Sequence, residues 1–121
     1  MEYMPKPPRA YEEFVQRYPK LAAAWNALTN AGDEGPLDKR MIRLFKLAIA
    51  IGALREGAVR SATRKALAAG VSQAEIDQVI ALAPSTIGLP STVAVFSWIQ
   101  EVAAGGRKGH SSVGEKLGSS D

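Results

Sequence analysis

Glu56 and Arg60 are the pair of residues whose types and spacing come closest to supporting chemistry. They lie in the segment ALREGAVRSATRKALAAGVS at positions i and i+4, which share one face of a helix. A carboxylate beside a guanidinium can act as a general base at the mouth of a pocket. We therefore take Glu56 and Arg60 as candidate catalytic residues. The alternative is a solvated row of charges, extended by Arg64, that does no chemistry.

Arg43 and Lys46 lie three residues apart on an otherwise apolar segment, and Arg55 follows at its end. A buried guanidinium without a partner is costly, so Arg43 must meet a carboxylate, a carbonyl or water. One interpretation is an ion pair, for example with Glu56 or across a subunit interface. The other is an anion site, because a guanidinium matches the geometry of a carboxylate. Arg43 and Arg55 are thus candidate ligand-binding residues.

Four alanines, Ala58, Ala62, Ala66 and Ala69, would lie on one face of the same helix. Small side chains at these positions favour close packing of a neighbouring helix. They could instead leave a hollow of ligand size, in which Ala58 and Ala62 would be lining residues. Both interpretations remain open at this point.

Several kinds of chemistry are excluded or disfavoured by composition. The chain has no cysteine, which rules out thiolate nucleophiles, redox pairs and zinc–thiolate sites, and we expect neither metal nor cofactor. The single histidine, His110, lies in a Gly/Ser-rich segment and lacks the second group that orients a catalytic imidazole. A net charge of +3 is mild for a nucleic-acid-binding protein. The longest apolar stretch is about half of what spans a bilayer, and no signal peptide is evident, so we expect a cytoplasmic protein.

The elements that must position these residues are helices. The spacing of apolar residues predicts an all-α domain of about six helices over residues 1–104, followed by a Gly/Ser-rich tail over residues 105–121. Pro19 suits the first turn of the second helix, Asp38 the N-cap of the third, and Ser72 to Glu75 form a capping box. The third helix is apolar on nearly every side from Leu44 to Leu54, which predicts a central, enclosed element.

The order of several segments resembles the carboxymuconolactone decarboxylase family, which includes the alkylhydroperoxidase D-type proteins. The similar segments are LD before the third helix, RKALAAGVSQAEI across the fourth and fifth, and IGLP before the last. The resemblance covers about residues 37–102. It implies a helical fold that assembles as a homotrimer or homohexamer, with a pocket near subunit contacts.

The resemblance also shows what this chain lacks. In the peroxidase branch, a Cys-x-x-Cys-x-x-x-His motif opens the fourth helix and a glutamate one helix earlier completes a proton relay. Those four positions are Arg55, Ala58, Ala62 and Arg43 here. The resemblance therefore implies a member without thiol peroxidase activity. In the decarboxylase branch the histidine is usual, with an arginine two residues before it, and only that arginine, Arg60, is present.

Three functional hypotheses follow. The first is a non-redox family member of lyase or decarboxylase type that binds or acts on a small anionic organic acid or lactone. The second is a catalytically silent structural or interaction module of the same fold. The third, a nucleic-acid contact through Arg107 and Lys108 in the tail, has the least support.

Overall fold

The computed structural model describes residues 9–111, with side chains described for residues 9–105, and in this range the chain is helical without a β-strand. The all-α fold predicted from sequence is confirmed. A four-residue turn of helix, α6, separates the fifth and last helices. The seven helical segments of the described range are α1 (Arg9–Arg17), α2 (Pro19–Gly32), α3 (Lys39–Ala53), α4 (Glu56–Ala68), α5 (Gln73–Leu82), α6 (Pro84–Ile87) and α7 (Leu89–Ser111).

Local signals set the helix ends. Pro19 opens α2, and the Asp38 side chain caps α3 by accepting a 2.8 Å hydrogen bond from the backbone N–H of Met41. Ser72 and Glu75 form the predicted capping box at the start of α5. These side chains satisfy backbone donors that a helix N-terminus leaves unpaired, so the positions of these helix starts follow from local sequence.

The central helix is α4, which packs against α3 on one side and α7 on another. Its buried positions are Val59, Thr63 and Ala66, and the Thr63 hydroxyl donates a 2.8 Å bond to the Val59 carbonyl, which leaves no buried hydroxyl unpaired there. The core is completed by side chains from the neighbouring helices and from the connection between α4 and α5, chiefly Leu47, Ile51, Val71, Ile76, Ile80, Val95 and Ile99.

The prediction that α3 is enclosed by neighbours is wrong for the single chain. Only Leu47, Ala50 and Ile51 of α3 are buried, whereas Ile49 is 70% exposed and Phe45 45% exposed. The spacing of apolar residues predicts which faces of a helix are buried, but it does not show whether the residues that bury them belong to the same chain. The described part of this chain offers α3 cover on one side only.

The last helix continues beyond the predicted start of the tail at residue 105 and runs to Ser111. It includes the backbone of His110, whose side chain lies outside the described residues, as do those of Arg107 and Lys108. Residues 112–121 also lie outside the described range.

Candidate functional site

The α3–α4 hairpin builds the candidate site. Its turn is centred on Leu54, which adopts a left-handed conformation (φ 56°, ψ 41°) at the C-cap of α3. In an antiparallel helix pair, residues equally distant in sequence from the turn lie at the same level. Arg43 on α3 and Lys65 on α4 are equally distant from Leu54. The hairpin therefore brings two cationic residues to its far end.

Arg43 and Lys65 line one open pocket of about 820 Å³ at that end. Lys39, from the first turn of α3, is a third cation in the lining. Apolar side chains and two aspartates make up the rest: Leu37, Ile42, Ala68, Ala69, Asp33 and Asp38. A pocket that combines cations from two helices with aliphatic walls suits a small organic anion.

The pKa of Lys65 reflects the positive charges that surround it. Its pKa lies below the ordinary value of 10.5, first because of partial burial and then because Arg43, Lys46 and Arg64 disfavour another positive charge. Asp33 acts in the opposite direction and does not reverse the shift. An anion bound between Arg43 and Lys65 would relieve this repulsion.

Both aspartates of the pocket already have partners. Asp38 accepts the N-cap hydrogen bond from Met41, and Asp33 forms a 3.4 Å ion pair with Lys46. Among the described residues, neither Arg43 nor Lys65 forms an ion pair. The predicted pair of Arg43 with Glu56 is absent from these contacts, because Arg43 lies at the far end of the hairpin whereas Glu56 lies beside the turn, where it pairs with Arg60.

The predicted catalytic residues Glu56 and Arg60 do lie together, at the other end of the hairpin. The Arg60 Nε donates a 3.0 Å hydrogen bond to Glu56 Oε2, and its Nη2 donates a 2.7 Å bond to Glu101 Oε1 on α7. Glu101, followed by Glu56, holds the pKa of Arg60 above its already high ordinary value, against the effect of burial. This is the geometry of a salt-bridge network that joins α4 to α7. A catalytic role for Glu56 and Arg60 stays a prediction.

The remaining predicted ligand residues lie apart from the cationic pocket. Arg55 occupies the N-cap of α4 and is exposed, as is Ala58, while Ala62 is partly buried and packs against the core. None of the three lines any of the pockets described here. Of the six site residues predicted from sequence, Arg43 alone lines one of these pockets. Ligand binding by Arg43, Arg55, Ala58 and Ala62 stays a prediction, as does catalysis by Glu56 and Arg60.

Sequence reasoning did not identify Lys65 and Lys39 as site residues. A signal for Lys65 was present: once Leu54 is taken as the turn of an antiparallel hairpin, Lys65 falls opposite Arg43. Lys39 sits one turn before Arg43 on the same helix and could have been found by its spacing.

A second pocket, of about 390 Å³, lies against another face of α3 and is almost wholly apolar. It is bounded by α3, α5 and α6, and Thr86 is the one hydroxyl-bearing residue in its lining. It offers no charge to hold an anion and is therefore distinct in chemistry from the cationic pocket.

Comparison with known proteins places the chain by family. The model of the carboxymuconolactone decarboxylase family matches residues 19–101, from the start of α2 to within α7. No curated protein and no solved structure matches the chain. The matched segment covers more than half of the sequence and contains both pockets and the Glu56–Arg60–Glu101 network. The chain belongs to the carboxymuconolactone decarboxylase family.

Proposed function

We propose that this family member binds a small organic anion, a carboxylic acid or a carboxylated lactone, in the cationic pocket between α3 and α4. The observation that carries the proposal is the approach of Arg43 and Lys65 without an ion-pair partner among the described residues. Bringing two cations together costs free energy in the ligand-free protein, and a carboxylate offsets that cost.

The reaction class in this proposal is non-redox and of lyase or decarboxylase type. Thiol peroxidase chemistry has no nucleophile here, since Arg55 and Ala58 occupy the positions of the two cysteines and the chain contains no cysteine. Arg43 and Lys65 would orient the ligand and stabilise negative charge that develops during loss of a carboxyl group. The family name supports a carboxylated lactone as the ligand class.

The test is titration of the protein with a panel of mono- and dicarboxylic acids, followed by heteronuclear NMR and calorimetry. We expect the best ligand to shift backbone signals around Arg43 and Lys65. Arg43→Ala and Lys65→Met should each weaken binding about 10-fold or more, the effect expected for loss of a charge-assisted hydrogen bond.

Arg64→Ala is the matched control, because it removes a positive charge from the same helix without removing a residue that lines the pocket. Equal binding by wild type, Arg43→Ala and Lys65→Met across the whole panel would contradict the proposal. Release of carbon dioxide from the best ligand would separate turnover from binding alone.

The alternative, a catalytically silent interaction module, is favoured by one specific observation. Glu56 and Arg60, the sequence-predicted catalytic pair, are tied to each other and to Glu101 as a structural network. This alternative requires no ligand in the cationic pocket, so the titration above distinguishes the two functions.

A further inference from the structure

The cationic pocket also contains side chains that can act as nucleophiles. Lys65, near the end of α4, and Lys39, at the start of α3, are the two amines in its lining. A guanidinium stays protonated in a protein, whereas a lysine amine can lose its proton and attack a carbonyl carbon. Of the residues that line this pocket, the two lysines are therefore the ones that can form an imine with a carbonyl compound.

Lys65 is the amine that lies opposite Arg43. The two residues stand at the same level of the α3–α4 hairpin, and the axes of packed helices are roughly 8–10 Å apart. Across that separation, two long side chains can contact two groups of one small molecule. Lys39, in contrast, lies on the same helix as Arg43. The hairpin therefore places a guanidinium on one wall of the pocket and an amine on the other.

The surroundings of Lys65 carry an excess of positive charge. Among the described residues Lys65 forms no ion pair, and the two aspartates of the pocket are engaged by the Lys46 amine and the Met41 N–H. Fewer anionic than cationic groups surround Lys65, which favours its neutral form. These charged residues are Lys39, Arg43 and Lys46 of α3, Arg64 of its own helix, and Asp33 and Asp38 between α2 and α3.

The pKa of Lys65 agrees with this arrangement. Partial burial, followed by repulsion from Arg43, lowers it from the ordinary value of 10.5. A neighbouring cation and apolar surroundings are two ways in which proteins activate a lysine to attack a carbonyl substrate. Lys65 also remains exposed, so a dissolved ligand can reach its amine.

We propose that Lys65 forms a Schiff base with a short 3-oxo carboxylic acid whose carboxylate is held by Arg43, and that this imine drives loss of carbon dioxide. The inference rests on the proposed function, because it requires an organic anion in the cationic pocket. It adds the nucleophile and the substrate class. Ile42 and Ala68 in the same lining offer aliphatic contacts to the rest of such a molecule.

The reaction needs water and protons as its only co-reactants. The neutral amine of Lys65 adds to the carbonyl carbon, and loss of water with uptake of a proton gives an iminium. The bond to the carboxylate carbon then breaks, and its electron pair passes to the iminium nitrogen, which leaves carbon dioxide and an enamine. Protonation of the enamine carbon and hydrolysis by water release the ketone and return the amine. The carbonyl must be at position 3, because only there can the iminium accept this electron pair.

Reductive trapping on the full chain tests the proposal. The protein is incubated with 3-oxobutanoate and sodium cyanoborohydride, which reduces an imine to a stable amine, and the product is identified by intact mass and peptide mapping. We expect an isopropyl group on Lys65, the adduct left after carbon dioxide has departed. Acetone, the neutral product, should label Lys65 more slowly, because it has no carboxylate for Arg43 to hold.

Lys65→Arg separates the imine from the anion site, because arginine keeps the positive charge and cannot form an imine. This variant should lose the adduct and the release of carbon dioxide above the spontaneous rate, and should still bind butanoate, an anion of similar size without a carbonyl group. Lys20→Arg, at an exposed position of α2 outside the pocket, is the matched control and should retain all three.

The outcomes distinguish this inference from the proposed function. Butanoate binding by the natural chain without an imine at Lys65 would overturn the inference and leave the anion site in place. An adduct on Lys39 instead of Lys65, equal labelling by acetone, or an adduct that keeps its carboxyl group without release of carbon dioxide would also overturn it. Failure of both butanoate and 3-oxobutanoate to bind would remove the anion site and the Schiff base together.

Discussion

Arg60 on α4 donates a 2.7 Å charge-assisted hydrogen bond to Glu101 on α7, and this bond joins the central helix to the last one. The same guanidinium also holds Glu56 one turn earlier on its own helix. Arg60 is 28% exposed at its side chain and Glu101 63%, so the pair lies where water and salt still screen it. The pair should therefore contribute at most about 1 kcal/mol to the free energy of unfolding, as solvent-exposed ion pairs do.

A double-mutant cycle with Arg60→Met and Glu101→Gln should return a coupling free energy of about 0.5–1 kcal/mol at low salt. The coupling should shrink in 1 M NaCl, since screening reduces attraction between solvent-exposed charges. Urea unfolding of the four proteins measures it. The cycle of Arg60→Met with Glu56→Gln is the comparison, because that ion pair lies within one helix at i and i+4. A coupling free energy near zero between Arg60 and Glu101 at low salt would show that this bond does not stabilise the packing of α4 on α7.

Lys65 predicts a specific dependence of stability on pH. Its pKa in the folded protein is lowered from 10.5, chiefly by burial and by Arg43, so the folded state binds fewer protons than the unfolded state as pH rises towards 10.5. The Lys65 contribution therefore destabilises the fold at neutral pH, and this cost is lost as pH rises through the lowered pKa.

Lys65→Met should accordingly raise the free energy of unfolding at pH 7 by about a few tenths of a kcal/mol, since the side chain is still in contact with water. It should also flatten the rise in stability between neutral pH and 10.5. Urea titrations at several pH values check both. Lys20→Met on α2 is the control, and a stability that falls with pH in wild type relative to Lys65→Met would reverse the assigned sign.

The parts of this fold that sequence predicts well are those set by neighbouring residues. Asp38 and Ser72 each cap a helix because their side chains reach the backbone donor three positions ahead, and the length of the side chain fixes that reach. The Glu56–Arg60 pair follows from helical spacing in the same way. None of these requires knowledge of which helices are neighbours.

The rest depends on tertiary neighbours that spacing along one helix does not specify. Glu101 lies 41 positions from Arg60, and its arrival at that guanidinium depends on how α7 packs on α4. Lys65 becomes a site residue only when α4 folds back on α3. The prediction that α3 is enclosed was wrong for a related reason. An apolar helix face indicates that the face is buried, but it does not indicate which chain packs against it.

Ser72→Ala should destabilise the protein by about 1 kcal/mol. The Ser72 hydroxyl accepts a 3.1 Å bond from the Glu75 N–H and donates a 3.0 Å bond to Glu75 Oε1, and Glu75 also pairs with Arg40 on α3. The change therefore exposes a helix donor and loosens a link between α5 and α3. Chemical denaturation measures the loss. Ser97→Ala is the control, because the Ser97 hydroxyl donates a 2.8 Å hydrogen bond to the Ala94 carbonyl within its own helix and caps no helix end. Equal effects of the two changes would argue against the cap.

Gly70 and Gly57 should respond in opposite directions to the same substitution. Gly70 ends α4 in a Schellman motif, in which the Val71 N–H donates to the Ala66 carbonyl at 3.0 Å and the Gly70 N–H donates to the Leu67 carbonyl at 3.1 Å. Its φ of +92° is one that side chains rarely adopt, although a Cβ there would meet no atom within 4 Å. Gly70→Ala should therefore lower the free energy of unfolding by about 1 kcal/mol through the backbone alone.

Gly57 lies in the first turn of α4, and a Cβ there would also meet open space. Gly57→Ala should therefore raise the free energy of unfolding by about 0.5 kcal/mol, because alanine restricts the unfolded chain more than glycine does. Thermal and urea unfolding of the two variants side by side would test this. Destabilisation by Gly57→Ala would contradict the open space assigned to that position, and an unchanged stability of Gly70→Ala would mean that α4 does not end at Gly70 in the way described.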